Sequence, residues 1–222
     1  MTGAPDLSDL LDEIEVIFFD FDGVILESNE VKIDAFKHMY APYGEDVVKR
    51  VLQEHVRHEG VSRVVKLERF HREFLGIKLD PAGLDGLAQE YSNLVEDVVC
   101  GVDPVPGAMD MLAAWLDRAP MYVVSGTPQD ELRRITDRRG LSGYFTAVFG
   151  SPRVKTDIVG TVLGEIGIAP ARALFVGDSM TDHDAARAVG ARFLGRVPGW
   201  RKNCFPDGTT VVEDMRPMIR AA

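Results

Sequence analysis

At 222 residues, 45% apolar and 27% charged, the chain is long enough for one domain, or one domain with an insertion, around a packed core. Its net charge of −10, with 35 acids against 25 lysines and arginines, argues against a general nucleic-acid binder, which needs a cationic face for phosphates. Residues 1–15 lack the pattern of a secretory signal, the apolar runs fall short of the ~20 residues of a bilayer span, and Cys100 and Cys204 match no metal-ligand spacing. A cytoplasmic protein without nucleic-acid or membrane partners is expected, monomeric or a weak homodimer.

Residues 15–19 (EVIFF) read as a strand whose continuous apolar run, VIFF, is that of a strand buried on both faces. Between Glu27 and Pro104 no strong strand signal occurs. Val31, Ala35, Phe36, Met39 and Tyr40 recur there at helical spacing, as do Leu67, Phe70 and Phe74. A small helical domain over 28–104 is predicted, inserted after the first strand, with hinges at 26–29 and 101–106. Beyond it strands are expected at 121–125, 147–150, 173–176 and 192–197. The helices between them run from Pro128 to Gly140, from about Thr156 to Gly167, and from about Asp182 to Gly190. The fold class is therefore α/β: a doubly wound, Rossmann-like parallel sheet built from 1–27 and 105–222, carrying the helical insertion.

The first strand runs into Asp20-Phe21-Asp22-Gly23. A carboxylate pair here reads equally as a solvated turn or as a site, since buried carboxylates need partners. Three further strand ends favour a site: Ser125-Gly126-Thr127, Gly150-Ser151-Pro152 and Gly177-Asp178-Ser179. In a parallel sheet all these ends open on one rim, where open α/β sheets bind ligands. Asp20, Asp22, Ser125 and Asp178 are thus expected to converge, with Lys155 in reach. Carboxylates, a hydroxyl and a lysine, without a His or Cys cluster, suit a hard cation, most naturally Mg²⁺. A metal among carboxylates suits phosphoryl transfer, in which one carboxylate attacks phosphorus and a second, held protonated, serves the leaving group. Ser125 and Lys155 would hold the transferring oxygens.

In order, DFDGVI, VVSGT, Lys155 after GSP, and GDSMTD resemble the four motifs of the haloacid dehalogenase-like phosphatases, spanning Asp20 to Asp182. The resemblance implies that Asp20 is the nucleophile and Asp22 the general acid/base. Ser125 and Lys155 would bind phosphate, beside Gly126 and Thr127. Asp178 would hold magnesium with Asp20 and the backbone carbonyl of Asp22, while Asp182 would act through the metal's water shell. Similar members carry a helical cap after the first motif. The dehalogenases themselves need neither a second catalytic Asp nor a metal, so Asp22 and Asp178 favour phosphorus over carbon.

Residues 57–72 hold five basic side chains (Arg57, Arg63, Lys66, Arg69, Arg72) against Glu59 and Glu68. They read either as a solvated face of local ion pairs or as a surface closing over an anionic substrate. Within them, Gly60-Val61-Ser62-Arg63 resembles the specificity loop of β-phosphoglucomutase-type caps, which implies that Arg63 grips a phosphate that is not transferred. His58 is a further candidate for substrate contact. The expected function is hydrolysis of a small phosphorylated metabolite, a sugar phosphate or phosphoglycolate-like ester, and the alternative is a sugar phosphomutase. A fold that merely binds a ligand is the competing class; filled carboxylate positions argue against it.

Overall fold

The structure is a computed structural model and describes residues 6–220. Residues 1–5 of the polar start lie outside them. A short helix, α1 (Leu7–Leu11), precedes β1 (Val16–Phe19). The other strands are β2 (Met121–Pro128), β3 (Ala147–Ser151), β4 (Ala173–Gly177), β5 (Arg192–Arg196) and β6 (Val211–Val212). All pair in parallel, in the order β3-β2-β1-β4-β5-β6. The chain winds outward in opposite directions from β1, so the crevice at the ends of β1, β2 and β4 is the natural binding position.

Every β1 side chain is buried because both faces of the sheet are covered. Ile17 and Phe19 join Val123, Leu174 and Val176 on one face, beneath α6 (Ala108–Trp115) and α7 (Gln129–Arg138). Val16 and Phe18 join Tyr122, Val124 and Phe175 on the other, beneath α8 (Lys155–Ile166) and α9 (Met180–Val189). The Phe18 ring stacks between Tyr122 at 5.4 Å and Phe175 at 6.4 Å. The last helix, α10 (Arg216–Arg220), packs on α6, where the Trp115 indole donates to the Met218 carbonyl at 3.1 Å.

Between β1 and β2 the described chain is helical: α2 (Asn29–Tyr40), α3 (Glu45–Arg57), α4 (Arg63–Phe70) with a π-helical turn at His71–Leu75, and α5 (Pro81–Val99). Phe36 centres this unit, its ring 4.6 Å from Tyr91, 4.8 Å from His55 and 5.6 Å from Phe70. The entering and leaving chains run side by side. Glu27 N–H donates to Asp103 and Val105 N–H to Ile25, each at 3.0 Å.

Some boundaries differ from the sequence reading for local reasons. α9 starts two residues before Asp182 because Ser179 is its cap and Asp182 completes a reciprocal capping box. β2 continues through an irregular register to Pro128 instead of stopping at Ser125. β6 was not anticipated; two residues are too few to show a period. Among the described residues no helix is long and apolar enough to cross a membrane.

Candidate active site

Asp20 follows β1 directly, and its amide extends the ladder by donating to the Val176 carbonyl at 2.9 Å. Asp178 follows β4, whose Val176 is in register with Phe19, so the two carboxylates leave neighbouring strands at one rim. Asp182 joins them from the first turn of α9. The three residues each offer an oxygen within 4.8 Å of the others, and all are buried. Gly23 (φ +70°) lets the loop pass this close, since a Cβ there would collide with Asn29 and the Asp178 carboxylate.

Each carboxylate is held by several donors. Lys155, the first residue of α8, puts its ammonium 2.8 Å from Asp20 Oδ2 and 2.6 Å from Asp182 Oδ1. Asp182 Oδ2 also accepts the Ser179 amide at 3.1 Å and hydroxyl at 2.6 Å. Asp178 Oδ2 accepts Asn29 Nδ2 at 2.6 Å and Arg201 Nη1 at 3.1 Å. These donors do not offset the crowding. Burial, then the charge of Asp182, raises the Asp20 carboxyl above the ordinary range; burial, then Asp20, does the same to Asp178. Asp182 is likewise raised, by burial first and despite Lys155. A buried set of hard oxygen donors short of positive charge suits a divalent cation such as Mg²⁺.

Asp22 lines the same cavity as Asp20 and Asp178, and its side chain accepts from Ser28, Lys32 and, at 3.0 Å, the Thr127 hydroxyl. It differs from the sequence expectation in not being held protonated: burial would raise its carboxyl, but the Lys32 charge and the hydrogen bonds from Lys32, Ser28 and Thr127 outweigh burial and hold it below the ordinary range. Thr127 therefore serves Asp22, and it also accepts from Lys32 Nζ at 2.8 Å. Ser125 is buried at the end of the regular part of β2, with its Oγ accepting from the Thr127 amide at 3.1 Å. Gly126 lies beneath the helical segment: a Cβ there would stand 2.5 Å from the Gly60 carbonyl oxygen.

The basic stretch divides between the two readings. Arg57, Arg69 and Arg72 make exposed ion pairs with Glu54, Glu68 and Glu73, while Arg63 and Lys66 point inward and are buried. Arg63 is committed elsewhere in this arrangement. Its guanidinium grips Glu131 of α7 through both nitrogens, donates to Ser92 at 2.9 Å and lies 4.5 Å from the Tyr91 ring centre. His58 sits apart from the cavity that Asp20 lines, between the Glu54 carbonyl at 3.1 Å and Arg69 at 3.2 Å. The sequence reading passed over Lys32, Asn29 and Arg201. Lys32 lies on the inward face of α2, one turn before Phe36, where it meets Asp22 and lines the cavity; Arg201 lies in a loop beyond β5 and bridges Asp178 and Glu59.

Residues 14–190 match the haloacid dehalogenase-like hydrolase family. The chain belongs to this family. Among haloacid dehalogenase-like relatives, a phosphoglycolate phosphatase of Pseudomonas putida is 25% identical over 219 residues, covering 92% of this chain and 78% of that protein. The solved β-phosphoglucomutase of Clostridium difficile superposes with a TM-score of 0.73 at 18% identity over 92% of each chain. The HAD-hydrolase YfnB of Bacillus subtilis, solved with bound magnesium, gives 0.69 at 17% identity over 93% of this chain and 97% of that one.

Proposed function

We propose that this hydrolase is a Mg²⁺-dependent phosphatase of small phosphomonoesters that works through a phosphorylated Asp20. The observation that carries the reading is the buried Asp20–Asp178–Asp182 cluster with Lys155 bonded to two of its members. A phosphatase among the sequence relatives and a magnesium-bound structural neighbour support it. Asp20, Asp178 and the Asp22 backbone would hold the ion, with Asp182 behind them. When bound, the ion supplies positive charge that keeps Asp20 ionised and offsets its repulsion from an anionic substrate.

The chain's own groups account for the remaining steps. The Asp20 carboxylate attacks phosphorus, and the bond from phosphorus to the ester oxygen breaks. Lys155 and Ser125 bind the transferring oxygens. The leaving alkoxide takes a proton from Asp22, which must first acquire one, because Lys32, Ser28 and Thr127 favour its ionised form. In that ionised form Asp22 is ready for the second half-reaction. It deprotonates a water that attacks phosphorus, the acyl-phosphate bond breaks and Asp20 is restored. The helical segment 28–104 acts as a cap that excludes bulk water, and its paired chains at Glu27–Asp103 and Ile25–Val105 are the hinge.

A sugar phosphomutase remains the second reading, favoured by the likeness to β-phosphoglucomutase. It needs Arg63 for the retained phosphate, and Glu131 already engages Arg63 here.

The test is phosphate release from a panel of phosphomonoesters with Mg²⁺ or with EDTA. Release that EDTA abolishes is expected. The Mg²⁺ concentration for half-maximal rate should fall as pH rises from about 5 to about 8, because the raised carboxyls must lose protons before they bind a cation. Undiminished release in EDTA, or isomerised sugar phosphate without free phosphate, contradicts the proposal.

A further inference from the structure

Lys66 stands out because it is a buried cation with no acid beside it. It is 6% exposed, lies on α4 and lines the same cavity as Asp20 and Asp22. The ion pairs around it belong to other residues: Glu131 pairs with Arg63, Glu54 with Arg69, and Glu59 with Arg201. Among the described residues no carboxylate lies within ion-pair distance of Lys66. Its hydrogen bond goes to His55 Nδ1 at 3.1 Å, a neutral partner. Burying an ammonium without a counter-charge is costly, so a fold gains nothing from this arrangement by itself.

We propose that Lys66 binds a carboxylate on the leaving group of the substrate, selecting small phosphorylated acids over neutral phosphomonoesters. The inference rests on the phosphatase reading above and names its substrate class. Three observations favour a carboxylate. Arg63, the other cation of the segment that faces inward, is already satisfied by Glu131, so one positive charge remains and matches a monoanion. The cavity holds about 60 Å³, room for a few water-sized groups and hence for a short acid. Phe36 and Tyr91 line it beside Lys66, giving the intervening carbons apolar contact.

The electrostatics agree. Burial lowers the Lys66 ammonium to about 7; Glu59 opposes this, and the charges of Lys32 and Lys155 add to it. His55, lowered to about 2 by burial and then by the Lys66 and Lys32 charges, stays neutral and able to accept. A carboxylate arriving at Lys66 supplies the missing negative charge and stabilises the protonated amine.

The experiment compares kcat/KM for 2-phosphoglycolate and ethyl phosphate, which differ by a carboxylate in place of a methyl group. The wild-type enzyme is expected to prefer the acid by at least about 30-fold, the scale of losing one partner of a buried charge pair. Lys66→Met should bring that ratio close to one, and Lys66→Arg should keep most of it. Wild-type phosphate release from both esters at equal kcat/KM overturns the Lys66 assignment while leaving the phosphatase reading intact. Release from neither, with release from other phosphomonoesters, overturns the Lys66 assignment alone; release from no phosphomonoester overturns both. The wild-type ratio needs no variant to fold, and a ratio that Lys66→Met leaves unchanged also overturns the assignment.

Discussion

Asp20→Asn is expected to lower kcat by at least about 10⁴-fold without destabilising the fold, the scale seen when a nucleophile is removed. The amide keeps the shape and can still accept the 2.7 Å hydrogen bond from the Phe21 amide, but it is too poor a nucleophile to form an acyl-phosphate. The substitution also removes one charge from a crowded cluster. Burial and the neighbouring Asp182 already raise the Asp20 carboxyl, so its ionised form is disfavoured in the fold. Phosphate release and urea denaturation of the same preparation separate the two effects. Activity should vanish while the midpoint stays level or rises. Substantial turnover by a correctly folded Asp20→Asn protein contradicts the nucleophile assignment.

Lys155→Met is expected to damage both activity and stability. Burial opposes the charge on this amine, yet Asp182 and Asp20 more than compensate and hold it protonated, well above its ordinary range. Without it, two buried carboxylates face each other with no cation between them. Breaking a buried pair from one side typically costs about 3–5 kcal/mol. The pH dependence has a definite sign. Asp20 and Asp182 titrate above the unfolded value in the fold, so the folded protein takes up protons first, and the penalty shrinks as pH falls toward the ordinary carboxylate range. Urea midpoints at about pH 7.5 and about pH 5.5 should therefore show the larger loss at the higher pH. The kcat should fall about 10²–10³-fold through loss of a donor to the transferring oxygens. A stability loss under about 1 kcal/mol, the range of an exposed pair, contradicts the central position given to Lys155.

Much of this arrangement was legible because it depends on strand ends. A parallel sheet puts the end of every strand on one rim, so Asp20 and Asp178 could be brought together from sequence despite the distance along the chain. The continuous apolar runs marked five of the six strands for the same reason: both faces are covered. Side-chain direction was not legible. Asp20 and Asp22 are two residues apart, yet the loop aims one at Lys155 and the other at Lys32 and Ser28. The protonation of Asp22 followed from that unseen contact. The partners of the helical segment were equally hidden, because Arg63 finds Glu131 across the fold and no local spacing encodes such a pairing. Lys66 and Arg69 lie three apart on α4 and both reach α3, yet Lys66 is buried against His55 while Arg69 pairs with Glu54 and Glu73 and stays partly exposed. Arg201 offered no signal, since loops carry functional groups without periodicity.

The most direct measurement is rapid acid quenching of the enzyme during turnover of 2-phosphoglycolate with Mg²⁺, followed by peptide mass spectrometry. One phosphoryl group should be found on the peptide containing Asp20, absent without substrate and absent from Asp20→Asn. Phosphate release with no covalent label, or a label on any other side chain, would contradict the capture of phosphorus by Asp20.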